Sequence, residues 1–145
     1  MMKYFIVDAF TDKAFRGNPA GVCVVDTPIS DELMQTIAFE NNLAETAFLT
    51  PSEGHYKLRW FTPEVEIDLC GHATLASAYI IMNYISSERT EVQFKTKSGL
   101  LYVKRDGSLY KMDFPRRKPM PCKIPSGLQD ALGIKVKRHT SQEIY

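Results

Sequence analysis

The chain has 145 residues, 44% of them hydrophobic and 24% charged, a balance typical of soluble globular domains and far from that of disordered chains. One compact domain is the starting expectation. With 18 basic and 17 acidic residues the formal net charge is +1, so no global field gathers a polyanion or an anionic membrane, and neither nucleic acid nor a membrane is an expected partner.

Residues Lys3 to Phe10 are rich in aromatic and β-branched types and predict an opening strand that runs into a loop at Thr11-Asp12-Lys13. The stretch Arg16-Gly17-Asn18-Pro19-Ala20-Gly21 carries the strongest turn chemistry in the chain, and the continuous apolar run Val22 to Val25 predicts a buried strand after it. Ser30 is a good helix N-cap, with Asp31 and Glu32 set to complement the positive helix end. A helix over Asp31 to Asn41 follows, with Leu33, Ile37 and Ala38 as its apolar face and Asn41-Asn42 as its stop.

Thr46 to Thr50 resumes an apolar strand, closed by a turn at Pro51-Ser52-Glu53-Gly54. His55 to Phe61 alternates as a strand, Thr62-Pro63 breaks it, and Val65 to Leu69 alternates again up to Cys70-Gly71-His72. From His72 to Met82 there is no charged side chain other than His72 itself, so a helix there must be buried on every side, and a sheet must curl around it. Glu91 to Lys95, Leu100 to Lys104 and Ser108 to Phe114 predict three more strands in a meander. Pro115, Pro119, Pro121 and Pro125 mark a linker, and Ser126 to Leu132 predicts a short helix stopped by Gly133. Two segments therefore emerge: 1–115 as a lobe, and 116–145 as a linker with the start of something further.

Three cysteines, Cys23, Cys70 and Cys122, stand far apart with no C-x-x-C pair and no histidine at zinc-ligand spacing. Neither a disulfide framework nor a structural metal is indicated, and the acid at Asp8 leaves no apolar leader before it, which suggests a cytoplasmic protein with reduced thiols. The run Arg116-Arg117-Lys118 beside prolines reads as a solvated loop.

Chemistry concentrates at two places. Cys70-Gly71-His72 falls where a strand gives way to the buried helix, so free backbone N–H groups with positive partial charge gather there, a setting that binds carboxylates. The glycine admits a ligand close to the backbone, and a histidine exchanges protons near neutral pH. Glu45 stands at the mouth of a strand entering the core, where partial withdrawal from water makes a carboxylate a better proton acceptor. Taken alone, these residues also read as a turn with a satisfied histidine and an ordinary surface glutamate, and Arg16 to Pro19 as a simple turn. Asp68, His55 and His139 have no pattern around them and default to structural or solvent roles.

Four motifs in order change that balance: FTDKAFRGNPAG (Phe10 to Gly21), NLAETAFL (Asn42 to Leu49), RWFTPEVEIDLCGHATLA (Arg59 to Ala76) and MDFP (Met112 to Pro115). Their order and spacing resemble PhzF-like proteins of the diaminopimelate epimerase superfamily. The resemblance implies an α+β fold in which a strongly curved, barrel-like mixed β-sheet wraps a central α-helix. It implies a cofactor-independent isomerase or epimerase that moves protons on a small cyclic or amino carboxylic acid. Glu45 matches the glutamate that acts as acid/base. Gly71 and His72 match the substrate-binding turn, Asn18 a substrate contact, and Cys70 a lining position, structural rather than nucleophilic. No metal, nucleotide or organic cofactor is implied.

Family members have two similar lobes facing each other across the substrate cleft, and this sequence resembles the first. Pro115 to Gly133 resembles the linker and the start of the second lobe, whereas Ile134 to Tyr145 departs from the pattern. The aspartate and backbone donors that the second lobe supplies have no counterpart here. That leaves three readings: an isomerase by inheritance, a non-catalytic remnant or binding module, or a half-enzyme working as a homodimer or with a complementing second lobe.

Overall fold

The computed structural model describes residues 1–116, 118–133 and 140–141. The sequence readings placed on Arg117, His139 and most of Ile134 to Tyr145 lie outside the described residues. The chain divides into two compact units, Met1–Phe114 and Pro115–Tyr145.

In the first unit one mixed sheet runs in the order β1-β2-β3-β4-β6-β7-β8. Its strands are β1 (Met2–Ala9), β2 (Asn18–Val25), β3 (Glu45–Ser52), β4 (His55–Phe61), β6 (Glu91–Thr96), β7 (Gly99–Asp106) and β8 (Leu109–Asp113). The two-residue β5 (Glu66–Ile67) pairs with β4 alone. Two junctions are parallel, β2 with β3 and β4 with β6, and they bracket the crossovers that carry helix α1 (Asp31–Asn41) and helix α2 (Gly71–Ile80).

Strand alternation sorts the apolar residues onto two faces. Ala20, Val22, Ala47, Leu49, Leu58 and Trp60 face α2 in the main core, whereas Cys23, Phe48 and Phe61 face Met34 and Ala38 of α1 in a smaller one. Both faces of the central strands are covered, which explains their unbroken apolar runs. On α1 the buried residues are Met34 and Ala38, not Leu33, which is exposed. The Ser30 hydroxyl accepts from the Leu33 amide, and Asn42 in the left-handed conformation ends the helix, as the sequence indicates.

The second helix contains Gly71, His72, Thr74 and Ser77, all weak helix formers, and at ten residues it is too short to persist alone in water. Burial holds it: His72, Ala73, Thr74, Ala76, Ser77, Ala78 and Ile80 are all inside. The sheet curls around it far enough that both edge strands reach the same helical segment. Phe5 of β1 stacks at 5.9 Å on Tyr84, and Tyr110 of β8 meets Tyr79 at 6.1 Å. This is the curved sheet around a central helix that the motifs imply.

Past Ile80 the helix loosens into a π-helical turn, Ile81–Ile85, which the sequence does not announce. Arg105 of β7 accounts for part of it, donating to the Met82 carbonyl at 2.8 Å and to the Asn83 side chain at 3.1 Å.

Two local expectations are corrected. Asn18 to Gly21 is strand rather than turn, because it pairs residue by residue with Ala9 back to Ile6. Pro19 is tolerated because pairing with β3 begins only at Ala20. Strand β3 likewise runs on through Pro51 and Ser52, beyond the end of its pairing with β2, leaving Glu53-Gly54 as the turn.

In the second unit β9 (Met120–Pro121) pairs with β10 (Thr140–Ser141), and helix α3 (Leu128–Leu132) lies between Gly127 and Gly133, both left-handed.

Candidate active site

Glu45 is the first residue of β3, placed by its surroundings rather than by its own side chain. Asn41, the last residue of α1, donates from its amide to the Thr46 hydroxyl at 3.2 Å. Thr46 is fully buried and packs on Gly21, where an added Cβ would lie 2.9 Å from the Thr46 hydroxyl oxygen. The strand start is thereby fixed against both α1 and β2. Ala20 and Glu45 are register partners, so period-two alternation puts Asn18, Ala20 and Glu45 on one face, the face toward α2.

The start of α2 meets Glu45 from the other side. Cys70 is its N-cap, extended in backbone, and no side chain caps the helix. The Thr74 hydroxyl donates to the Cys70 carbonyl at 2.5 Å, which ties the turn down. A Cβ added at Gly71 would meet nothing within 4 Å, so this glycine leaves open space beside the first amides of the helix.

His72 Nε2 stands 3.2 Å from Glu45 Oε2, the side chains being 9% and 19% exposed. That is ion-pair reach, yet the two atoms are not aligned as a hydrogen bond, and neither has another hydrogen-bond partner among the described residues. On the other side of the ring, His72 Nδ1 is 3.4 Å from the Cys70 sulfur. Burial pushes the Cys70 thiol up to about 12, helped by the nearby Glu45 charge and opposed by amide hydrogen bonds from Ala73 and His72. Cys70 is thus a protonated thiol lining the site.

The structure therefore brings Glu45, Cys70, Gly71 and His72 to one place. Asn18 is exposed, on the same face one strand away and two residues toward the strand mouth. His55 and Asp68 lie elsewhere: the His55 ring bonds the Glu53 carbonyl at 2.8 Å, and the Asp68 carbonyl accepts from Ser98 at 2.9 Å. Sequence reasoning missed Asn41, Thr46 and Thr74, which carry no charge and signal nothing by spacing. It also missed Arg59, which binds Glu66 through Nε at 2.6 Å and Asp31 through Nη1 at 2.6 Å. This guanidinium ties α1 to β5, the segment that delivers Cys70.

A family model described as phenazine biosynthesis-like protein, PhzC-PhzF, matches residues 7–142. The chain belongs to this PhzF family. An uncharacterized isomerase of Pseudomonas aeruginosa is 53% identical over 130 residues, 90% of this chain and 50% of that protein. A second uncharacterized isomerase, from Halalkalibacterium halodurans, is 51% identical over 133 residues, again 90% of this chain and 50% of the relative. The crystal structure of a putative phenazine biosynthesis PhzC/PhzF protein from Clostridium difficile superimposes with a TM-score of 0.85 at 51% identity, covering 97% of this chain and 54% of that one. In fold alone, a protein of Pseudomonas aeruginosa described as a predicted epimerase is also similar, with a TM-score of 0.72 at 24% identity over 96% of this chain and 54% of that one. The chain spans about half the length of the curated PhzF-family relatives it matches.

Among the described residues no helix is long and apolar enough to cross a membrane.

Proposed function

We propose that this chain carries the first half of a cofactor-independent isomerase site in which Glu45 moves a proton on a small cyclic or amino carboxylic acid. The observation that carries this reading is the Glu45 carboxylate standing against His72 beside the uncapped start of α2. A substrate carboxylate would lie over the Gly71 opening, held by amides that need no reorganisation. Glu45 would take the proton from the adjacent carbon, leaving the electron pair delocalised into the carboxylate, and the same proton or one from water would return at a second carbon. His72 steadies the carboxylate, Asn18 contacts the substrate at the strand mouth, and Cys70 lines the floor as a thiol.

Residues 1–115 are read as one lobe and 116–145 as linker and the start of another. The division after Phe114 supports that boundary. An opposing acid would come from a second lobe, supplied by a second copy of the chain or by a separate polypeptide. Three unpaired cysteines agree with a reducing, cytoplasmic setting.

The test is deuterium incorporation from heavy water into candidate carboxylic acids, by the chain alone and with a second-lobe fragment of a relative added, with Glu45→Gln as control. Incorporation by the wild type that falls by about 100-fold or more in the variant supports the assignment. Equal exchange in both proteins, or none in either, overturns it.

A further inference from the structure

We propose that Cys70 is a positioning residue for His72: its thiol donates to Nδ1 and so holds the neutral ring in the tautomer whose own proton is on Nε2, facing Glu45. Two contacts on opposite sides of one ring carry this. The Cys70 sulfur lies 3.4 Å from His72 Nδ1, and Glu45 Oε2 lies 3.2 Å from His72 Nε2. Sulfur, imidazole and carboxylate therefore stand in series, with the ring in the middle.

A neutral imidazole has one donor nitrogen and one acceptor nitrogen, and its neighbours decide which is which. Here both neighbours give the same answer. A lone pair on Nε2 would oppose the carboxylate oxygen acceptor to acceptor, at 3.2 Å and between two buried atoms, where such repulsion is poorly screened. A hydrogen on Nε2 turns the contact into attraction, even without the alignment of a hydrogen bond. On the other side, Nδ1 is then the acceptor, and the Cys70 thiol supplies the donor. The alternative for a cysteine beside a histidine, a thiolate against an imidazolium, is disfavoured because burial, with the Glu45 charge adding to it, pushes the thiol up to about 12.

The backbone keeps the sulfur in place. Cys70 is the extended N-cap of α2, its carbonyl accepts from the Thr74 hydroxyl, and His72 is in the first turn of the same helix. The thiol and the ring it addresses are thus parts of one unit. A serine hydroxyl supplies the same kind of donor, whereas an alanine supplies none.

The chemical consequence rests on the function proposed above, but the tautomer does not. With its proton on Nε2, the ring offers Glu45 a donor and presents no lone pair on that side, so the carboxylate is the base of the pair. When Glu45 takes a proton from the ligand carbon its charge disappears, and the Nε2 donor is released to face the negative charge that develops on the ligand. Cys70 acts on this chemistry through the ring.

The experiment is nitrogen NMR of the full chain with isotope-labelled histidines, of which there are three. His72→Gln identifies the His72 signals, and spectra are recorded at a pH above which the ring shifts no longer change. His72 Nε2 should show the pyrrole-type shift of a protonated nitrogen, and Nδ1 the pyridine-type shift of an acceptor, displaced upfield by the thiol. Cys70→Ala should move Nδ1 downfield, and Cys70→Ser, which keeps a donor, should restore most of the displacement. In Glu45→Gln the tautomer should persist, because the thiol alone then sets it, and adding Cys70→Ala should turn it into a mixture. A pyrrole-type Nδ1 in the wild type overturns the proposal, as does an Nδ1 shift that Cys70→Ala leaves unchanged. Should the alanine variants not fold, loss of the tautomer in Glu45→Gln overturns it equally. A chain that exchanges no deuterium yet carries its proton on Nε2 removes the isomerase reading and leaves the role of Cys70 standing.

Discussion

The Glu45 carboxylate and the His72 imidazole, one opening strand β3 and the other in the first turn of helix α2, stand 3.2 Å apart without hydrogen-bond alignment. A pair held at this distance by the packing of two elements, rather than by its own bond, is available for another partner. If packing of β3 and α2 rather than the pair itself holds the fold, Glu45→Gln, which keeps the volume, should change stability by less than about 1 kcal/mol. Thermal unfolding of the two proteins checks it: a loss of several kcal/mol would mean that the pair is structural.

Gly71 separates folding from binding more sharply. Its backbone is outside the left-handed region, and an added Cβ would meet nothing within 4 Å. Gly71→Ala should therefore leave the fold intact or stabilise it by about 0.4–1 kcal/mol through the unfolded chain. The methyl group nevertheless enters the space proposed for a substrate carboxylate. Stability equal to or above wild type together with weakened carboxylate binding, measured by calorimetry, is the expected outcome. Unchanged binding would remove Gly71 from the site.

The opposite holds at Gly17. A Cβ there would lie 2.3 Å from the Ala9 carbonyl oxygen and 2.7 Å from the Thr11 methyl, and the backbone cannot retreat because Ala9 and Asn18 are register partners in the β1–β2 pair. Gly17→Ala should cost about 1–3 kcal/mol, the usual scale of overpacking. Denaturant unfolding reads this directly, and a neutral result would show that the loop has room to move.

Most of this organisation is legible in the sequence, and the exceptions have physical causes. Helix α1 shows its ends because Ser30 and Asn42 make local contacts that sequence alone encodes. Asn18 to Gly21 misleads because turn-forming composition yields to pairing with β1, a neighbour the local sequence does not contain. The π-helical turn is invisible for the same reason, since Arg105, which donates to the Met82 carbonyl within it, lies on another strand. That Glu45 meets His72 follows from four motifs in order. Periodicity shows each on its element but not that the elements converge.

The thiols give a chemical check on Cys70. Burial raises both Cys23 and Cys70 to about 12, whereas Cys122 is partly exposed. At about pH 8 an alkylating reagent, which attacks the thiolate, should therefore modify Cys122 and spare the other two. Mass spectrometry of the native protein should find a single adduct that disappears in Cys122→Ser. Rapid labelling of Cys70 would restore it as a candidate nucleophile.

Acid should weaken the link between α1 and β5 before it reaches the cores. The hydrogen bonds from Arg59 hold Glu66 below its ordinary value of 4.5, with Lys97 adding to the effect against the opposing influence of burial. A carboxyl whose folded value is depressed contributes stability above its unfolded value and loses that contribution as pH falls through the folded one. Wild type should therefore exceed Glu66→Gln in melting temperature near neutral pH, and the gap should close as pH drops below 4.5. Salt should narrow the gap as well, because the ion pairs reach Asp31 and Lys97, which are largely exposed. A gap that persists undiminished in acid would mean that Glu66 acts through packing rather than through its charge.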